Sequence, residues 1–412
     1  LGLLIGGFGI GQGSIFLAQT WLVATGRTDL LAQFGTHFSF AMLGIIAVEA
    51  GSLTILSAQI ARLLVAQGSE RDLWRCYWET TIFRLTMAAA LAALIVLAEA
   101  FVDLPDFTSW YLIGALPALL VWAFNGAGFL DGLQKSGISG ITGSIAYVAS
   151  AAALLVAIDA DPATAGLITG AALGLGYTAT VLVQFVALWF AGYRPRLERV
   201  TAAGVRTAFV EEGSMLIGLL PGQLYFRAQL ALATAFLGTT PTAMLVYAKQ
   251  IVGAASQISG FARRIEFPRM VQALAAHPQT SNRTLVTMQK GSFAIAGVMA
   301  CGIVAASLVV VARFDGFTRE AWMFLAIFSV TILTEAVGQS LVQAMFARHL
   351  FHSAAAARII AVCVAIGVCS MVIGMAGIMA FVVADLVSHA LVISLSLWWL
   401  ARNMARHGLQ DI

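Results

Sequence analysis

Two cations stand where a membrane tolerates them least. Arg227 lies within the apolar stretch Met215–Leu237 and Lys249 within Ala243–Phe261, on either side of a short Gly238–Pro241 turn. Each stretch is long enough for a bilayer-crossing helix, which needs about 20 residues. Counted from the turn, the two cations lie at similar depth, so a helical hairpin sets them near each other. A charge at mid-bilayer costs roughly 2.5–3.5 kcal/mol on insertion scales and usually faces a bundle interior or an aqueous cavity. Gln223 lies one turn from Arg227, while Gly253, Ser256 and Gly260 share the face of Lys249. Two chemistries suit this set. One is an anion-binding cavity lined by Arg227, Lys249, Gln223 and Ser256. The other is an internal salt bridge from each cation to an acid on another span.

Three acids lie inside apolar stretches and away from their ends. Glu49 has Ser52 and Gln59 near its face, and Glu335 has Thr331, Gly338, Gln339 and Gln343. Asp385 lies one turn from His389 and beside Ser388. Either these groups couple transport to a proton or sodium gradient, or they are counter-ions for Arg227 and Lys249. The i,i+4 spacing of Asp385 and His389 suits a titrating pair, since a nearby carboxylate can hold an imidazole close to its switching range.

The elements that carry these residues follow from composition. Of 412 residues 60% are hydrophobic and 10% charged, with mean hydropathy +0.90, whereas a soluble domain carries about 25% charged residues. The chain therefore reads as an all-α polytopic membrane protein of about twelve transmembrane helices. They form two six-helix lobes around a central cavity: an N-terminal lobe over 1–192 and a C-terminal lobe over 207–402. A cytoplasmic linker spans 193–206, and a short cytoplasmic tail spans 403–412.

Charge placement orients the layout. With the N-terminus inside, Arg62, Arg71, Arg75, Arg194, Arg196, Arg199, Arg206, Arg348 and Arg358 all fall at cytoplasmic loops or helix ends. The outer turns keep Asp103, Asp106, Asp159, Asp161 and Asp315 with few cations, which is a strong positive-inside bias. Both termini are then cytoplasmic. The chain opens on Leu1 inside an apolar run, which suggests a trimmed N-terminus. Glycines at 166, 170 and 174 read as close helix packing, and Pro117 and Pro221 as hinge candidates. Phe16–Gln19 (FLAQ) matches Phe226–Gln229 (FRAQ), which suggests that a six-helix unit is duplicated.

The sequence carries no recognisable motif for enzyme chemistry. No Walker A sequence occurs, so ATP does not drive this chain directly. Gly174–Ala179 fits a GxGxxA spacing but lies within a span with no strand before it. No catalytic residues, metal ligands or cofactor are expected beyond a coupling proton or sodium ion.

Gly11–Gln19 (GQGSIFLAQ), Phe129–Lys135 (FLDGLQK) and the hairpin around the Gly238–Pro241 turn, with Tyr247 after the turn and Phe267-Pro268 closing its second helix, carry a family likeness. With them the whole chain resembles the O-antigen-type oligosaccharide flippases, the polysaccharide transporter branch of the multidrug/oligosaccharidyl-lipid/polysaccharide exporter superfamily. That resemblance implies translocation of an undecaprenyl-diphosphate-linked oligosaccharide from the inner to the outer leaflet of a bacterial inner membrane. It also implies membrane lipids and glycan polymerase or assembly proteins as partners, with no nucleic acid. Arg227 and Lys249 match the cavity cations of such proteins by type and depth. The alternatives are a drug or small-molecule exporter of the same superfamily, which would favour a carboxylate in the first span, or a membrane-embedded glycan polymerase or ligase.

Overall fold

The computed structural model describes residues 2–25, 27–277, 280–313 and 315–406; the expected tail lies outside the described residues from 407 onward. The regular structure among the described residues is helical, with no strand. The chain divides into two compact units, Leu1–Gly213 and Ser214–Ile412.

The first unit holds α1 (Gly2–Ala24), α2 (Thr28–Glu49), α3 (Ser52–Val65), α4 (Glu70–Phe101) and α5 (Asp106–Trp122). It continues with α6 (Ala127–Gly132), α7 (Ser136–Thr142), α8 (Ser144–Val156) and α9 (Pro162–Phe190). Helix α10 (Ala202–Leu237) starts in this unit and ends in the next. The second unit adds α11 (Thr239–Ala276), α12 (Asn282–Thr287), α13 (Lys290–Val311) and α14 (Gly316–Phe328). It closes with α15 (Val330–Ala347), α16 (Phe351–Ala376) and α17 (Met379–Arg406). Ten stretches among the described residues are long and apolar enough to cross a membrane. Helices α10 and α11, at 36 and 38 residues, add two more helices of crossing length.

Local chemistry explains where these helices begin and break. Ser69 and Asp72 form a reciprocal capping box at the start of α4, and Asp161 caps α9 through the Thr164 amide ahead of Pro162. Between α2 and α3 the chain turns through Ala50 at φ 44° and Gly51 at φ 76°. Such left-handed pairs end a helix at little cost when one member is glycine. Glu49 is thereby the last helical residue before a break.

Within a bilayer, helices associate through close packing rather than through exclusion from water. Gly166, Gly170 and Gly114 let α5 and α9 touch backbone to backbone. A Cβ on Gly114 would lie 2.7 Å from the Ala171 amide nitrogen. The close-packing reading of these glycines therefore holds in the fold. An aromatic cluster of Trp74, Tyr77, Phe129 and Phe185 joins α4, α6 and α9.

Helical structure is broken between α5, which ends at Trp122, and α6, which starts at Ala127. Broken helices survive in membranes only where their freed backbone groups find partners. Here Arg84 Nη1 donates to the Asn125 carbonyl at 2.7 Å and Tyr77 Oη to the Phe124 carbonyl at 2.7 Å. Gln184 Oε1 accepts from the Gly126 amide at 2.8 Å.

The segment joining α9 to α10 is strapped to α4. Trp78 Nε1 donates to the Arg196 carbonyl at 2.7 Å, and Glu70 accepts from the Arg194 amide at 3.0 Å. Glu79 accepts from the amide and hydroxyl of Thr201. Helix α10 starts at Ala202, before the expected 207, because these bonds satisfy the chain entering it.

Candidate functional site

The second unit holds a partly open cavity of about 410 Å³ whose wall is drawn from α10, α11, α14, α15, α16 and α17. Lys249 from α11 and Asp385 from α17 meet on that wall, with Nζ 2.7 Å from Oδ2. The other oxygen of Asp385 accepts from Tyr225 Oη at 2.9 Å and from Gln229 Nε2 at 2.7 Å, both on α10. The ammonium also lies 5.6 Å from the centre of the Tyr225 ring and 5.1 Å from that of Phe328. Ring faces attract a cation electrostatically, and more strongly when water is excluded. The carboxylate therefore holds three donors and the ammonium one acceptor and two rings. Such a pair is stable as a unit but leaves a costly orphan if either member is removed.

Gly222 and Gly253 make room for this cavity. A Cβ at either would meet no atom within 4 Å, so both positions open onto space. Glu335 on α15 lines the same wall, and Ser256 Oγ donates to its Oε2 at 2.6 Å. His389 also lines it, its Nδ1 2.8 Å from the Thr334 hydroxyl.

The structure brings together some of the residues singled out in the sequence and separates others. Lys249, Gln223, Glu335, Asp385 and His389 line one cavity, and Ser256 reaches it through Glu335. The acid and imidazole expected to pair do not bond. Lys249, Tyr225 and Gln229 occupy Asp385, while His389 turns to Thr334 on α15. Arg227 is exposed, is not part of the cavity wall, and donates to the Gln223 carbonyl of its own helix at 2.8 Å. Depth along the hairpin was similar, but the side chains leave their helices in different directions. Glu49 lies in the other unit, half-buried beside the α2–α3 break.

Arg358 is the residue that sequence reasoning placed elsewhere. Expected at a cytoplasmic helix end, it sits two turns inside α16 and lines the cavity. Its Nη2 donates to Gln339 Oε1 at 2.9 Å and its guanidinium lies 5.6 Å from the Phe346 ring centre. The unbroken apolar run on both sides of it, Ala354–Val362 (AAAARIIAV), was the available signal. The cavity wall thus carries two cations, two carboxylates and one imidazole.

No family model matches the chain, and no curated protein matches it. Solved structures do. A MATE transporter in a bent conformation superposes with a TM-score of 0.77 at 15% identity, covering 98% of this chain and 94% of that one. An outward-facing multidrug resistance MATE family transporter of the MOP superfamily gives 0.75 at 15% identity, with coverages of 98% and 95%. A MOP superfamily transporter from Pyrococcus furiosus, described as having a binding pocket of reverse polarity that suggests a different function, gives 0.74 at 15% identity, with coverages of 97% and 94%. The fold is that of the MATE transporters of the MOP superfamily, and its two-lobed, all-helical plan is the one expected from the sequence.

Proposed function

We propose that this chain is a membrane exporter working by alternating access, driven by an ion gradient and built to move an amphipathic substrate with an anionic head. The observation that carries this reading is the Lys249–Asp385 ion pair on the wall of the cavity. An entering anion competes with Asp385 for Lys249, and a coupling cation competes with Lys249 for Asp385. One pair thereby links substrate to gradient, because only differential binding between states can shift the transport equilibrium. Arg358 supplies a second cation, with planar forked donors suited to phosphate oxygens.

Within that reading the substrate is a lipid-diphosphate-linked oligosaccharide, moved from the inner to the outer leaflet of a bacterial inner membrane with both chain termini cytoplasmic. The family likeness of the sequence and the two cations on the wall, Lys249 and Arg358, support it. A drug exporter is the second reading. Glu335 and Asp385 on the same wall would suit a cationic drug, and a structural neighbour is a multidrug resistance transporter.

Reconstitution separates the two. Purified protein in vesicles is given either a fluorescent polyprenyl-diphosphate oligosaccharide or a cationic dye. Movement of the glycolipid that is lost in Lys249→Ala supports the first reading. Dye movement that survives Lys249→Ala and fails in Glu335→Gln supports the second.

A further inference from the structure

A second ionisable site lies in the first unit and is not needed for the cavity reading. Glu212, in the third turn of α10, is fully buried, and neither carboxylate oxygen has a hydrogen-bond donor. Among the described residues it is the only acid buried in this way on both oxygens. Neighbouring Glu211 is engaged, receiving Gln59 Nε2 at 3.4 Å. Helix α10 is held here against α4, where the Phe83 and Phe209 rings meet edge to face 5.1 Å apart.

Arg84 on α4 faces Glu212 and is also buried, at 1% exposure. Its terminal nitrogens are committed to the Asn125 carbonyl and the hydroxyls of Thr80 and Thr81. Its Nε is buried without an acceptor. No ion pair joins Arg84 to Glu212, although each has a free polar atom. The other titratable groups turned toward this cluster are Arg62 on α3, Cys76 and Glu79 on α4, and Glu211 on α10 itself. Sealed from water and without a donor, an ionised carboxylate at Glu212 would keep its full desolvation cost.

We infer that Glu212 is a proton-binding site. It carries a proton in the conformation described, and loses it to solvent when α10 shifts and Arg84 Nε closes on the freed carboxylate. The O–H bond of the acid breaks, the proton leaves to water, and the new anion is matched by a guanidinium already in place.

The test uses the full chain in lipid vesicles and two readouts that do not require transport. Dicyclohexylcarbodiimide reacts with buried protonated carboxyls, and peptide mass spectrometry locates the adduct. Infrared difference spectra across a pH titration report the carbonyl band of a protonated carboxyl. An adduct on the parent that persists in Glu211→Gln and Asp385→Asn, disappears in Glu212→Gln, and is matched by a pH-sensitive band lost in Glu212→Gln alone is the expected result. Absence of adduct and band in the parent overturns the inference without needing any variant to fold. Adduct loss in Glu211→Gln assigns the reactive acid elsewhere and overturns it too. Protection by sodium at constant pH makes the ligand a metal cation rather than a proton, and likewise refutes it.

Discussion

Lys249 and Asp385 are each expensive alone and tolerable together, and that asymmetry is measurable. Removing one member of a buried pair typically costs roughly 3–5 kcal/mol, because the remaining charge keeps its desolvation penalty. Lys249→Met should therefore lower the thermal unfolding midpoint in detergent well below the parent, and Lys249→Met with Asp385→Asn should recover much of the loss. Strictly additive effects would show that the pair is not coupled. Arg227→Ala should change stability far less than Lys249→Met, since Arg227 donates to its own helix backbone and its side chain is exposed. At this scale the sequence showed which residues carried anomalous charge but not whom they met. Lys249 and Asp385 stand 136 positions apart, and a charge in an apolar run gives depth without direction around the helix. The i,i+4 spacing of Asp385 and His389 was read correctly as one stretch of one helix. The structure adds partners that spacing could not show: Tyr225, Gln229 and Lys249 from α10 and α11 bond Asp385, and Thr334 from α15 meets His389.

Among the elements, glycine decides both packing and space. Gly170 packs against the Tyr111 carbonyl, so Gly170→Leu must push α9 from α5 and should reduce stability or accumulation of the protein, read by size-exclusion profile and thermal melt. Gly253 is the opposite case. Gly253→Phe meets open space, so the fold should survive while the ring fills cavity volume. A normal melt with transport lost is the expected outcome; transport unchanged would place the substrate path away from this cavity. The small-residue spacing of α9 was legible in advance because packing glycines recur at helical intervals. The break after Trp122 was not, because it is stabilised by Arg84, Tyr77 and Gln184 from helices distant in sequence. Arg358 was misjudged for a related reason. An arginine near a span end looks like a membrane anchor unless the helix start is known to within a turn.

For the whole molecule, hydropathy and the repeated short turns were enough to anticipate an all-helical chain of about twelve crossings, and the fold agrees with that. Orientation is open to a direct check. In a background with the four native cysteines replaced, a cysteine at the exposed Asp161 should react with an impermeant reagent from outside intact cells. A cysteine at the exposed Arg199 should react only after the membrane is opened. The reverse pattern would invert the layout. The central claim, that one ion pair links an anionic substrate to a cation gradient, is tested most directly in reconstituted vesicles. Transport of a polyprenyl-diphosphate oligosaccharide is measured with and without an imposed proton or sodium gradient, for the parent and for Asp385→Asn. The parent should speed up with the gradient, and Asp385→Asn should still bind the glycolipid while ignoring the gradient. An Asp385→Asn variant that responds to the gradient as the parent does would contradict the account.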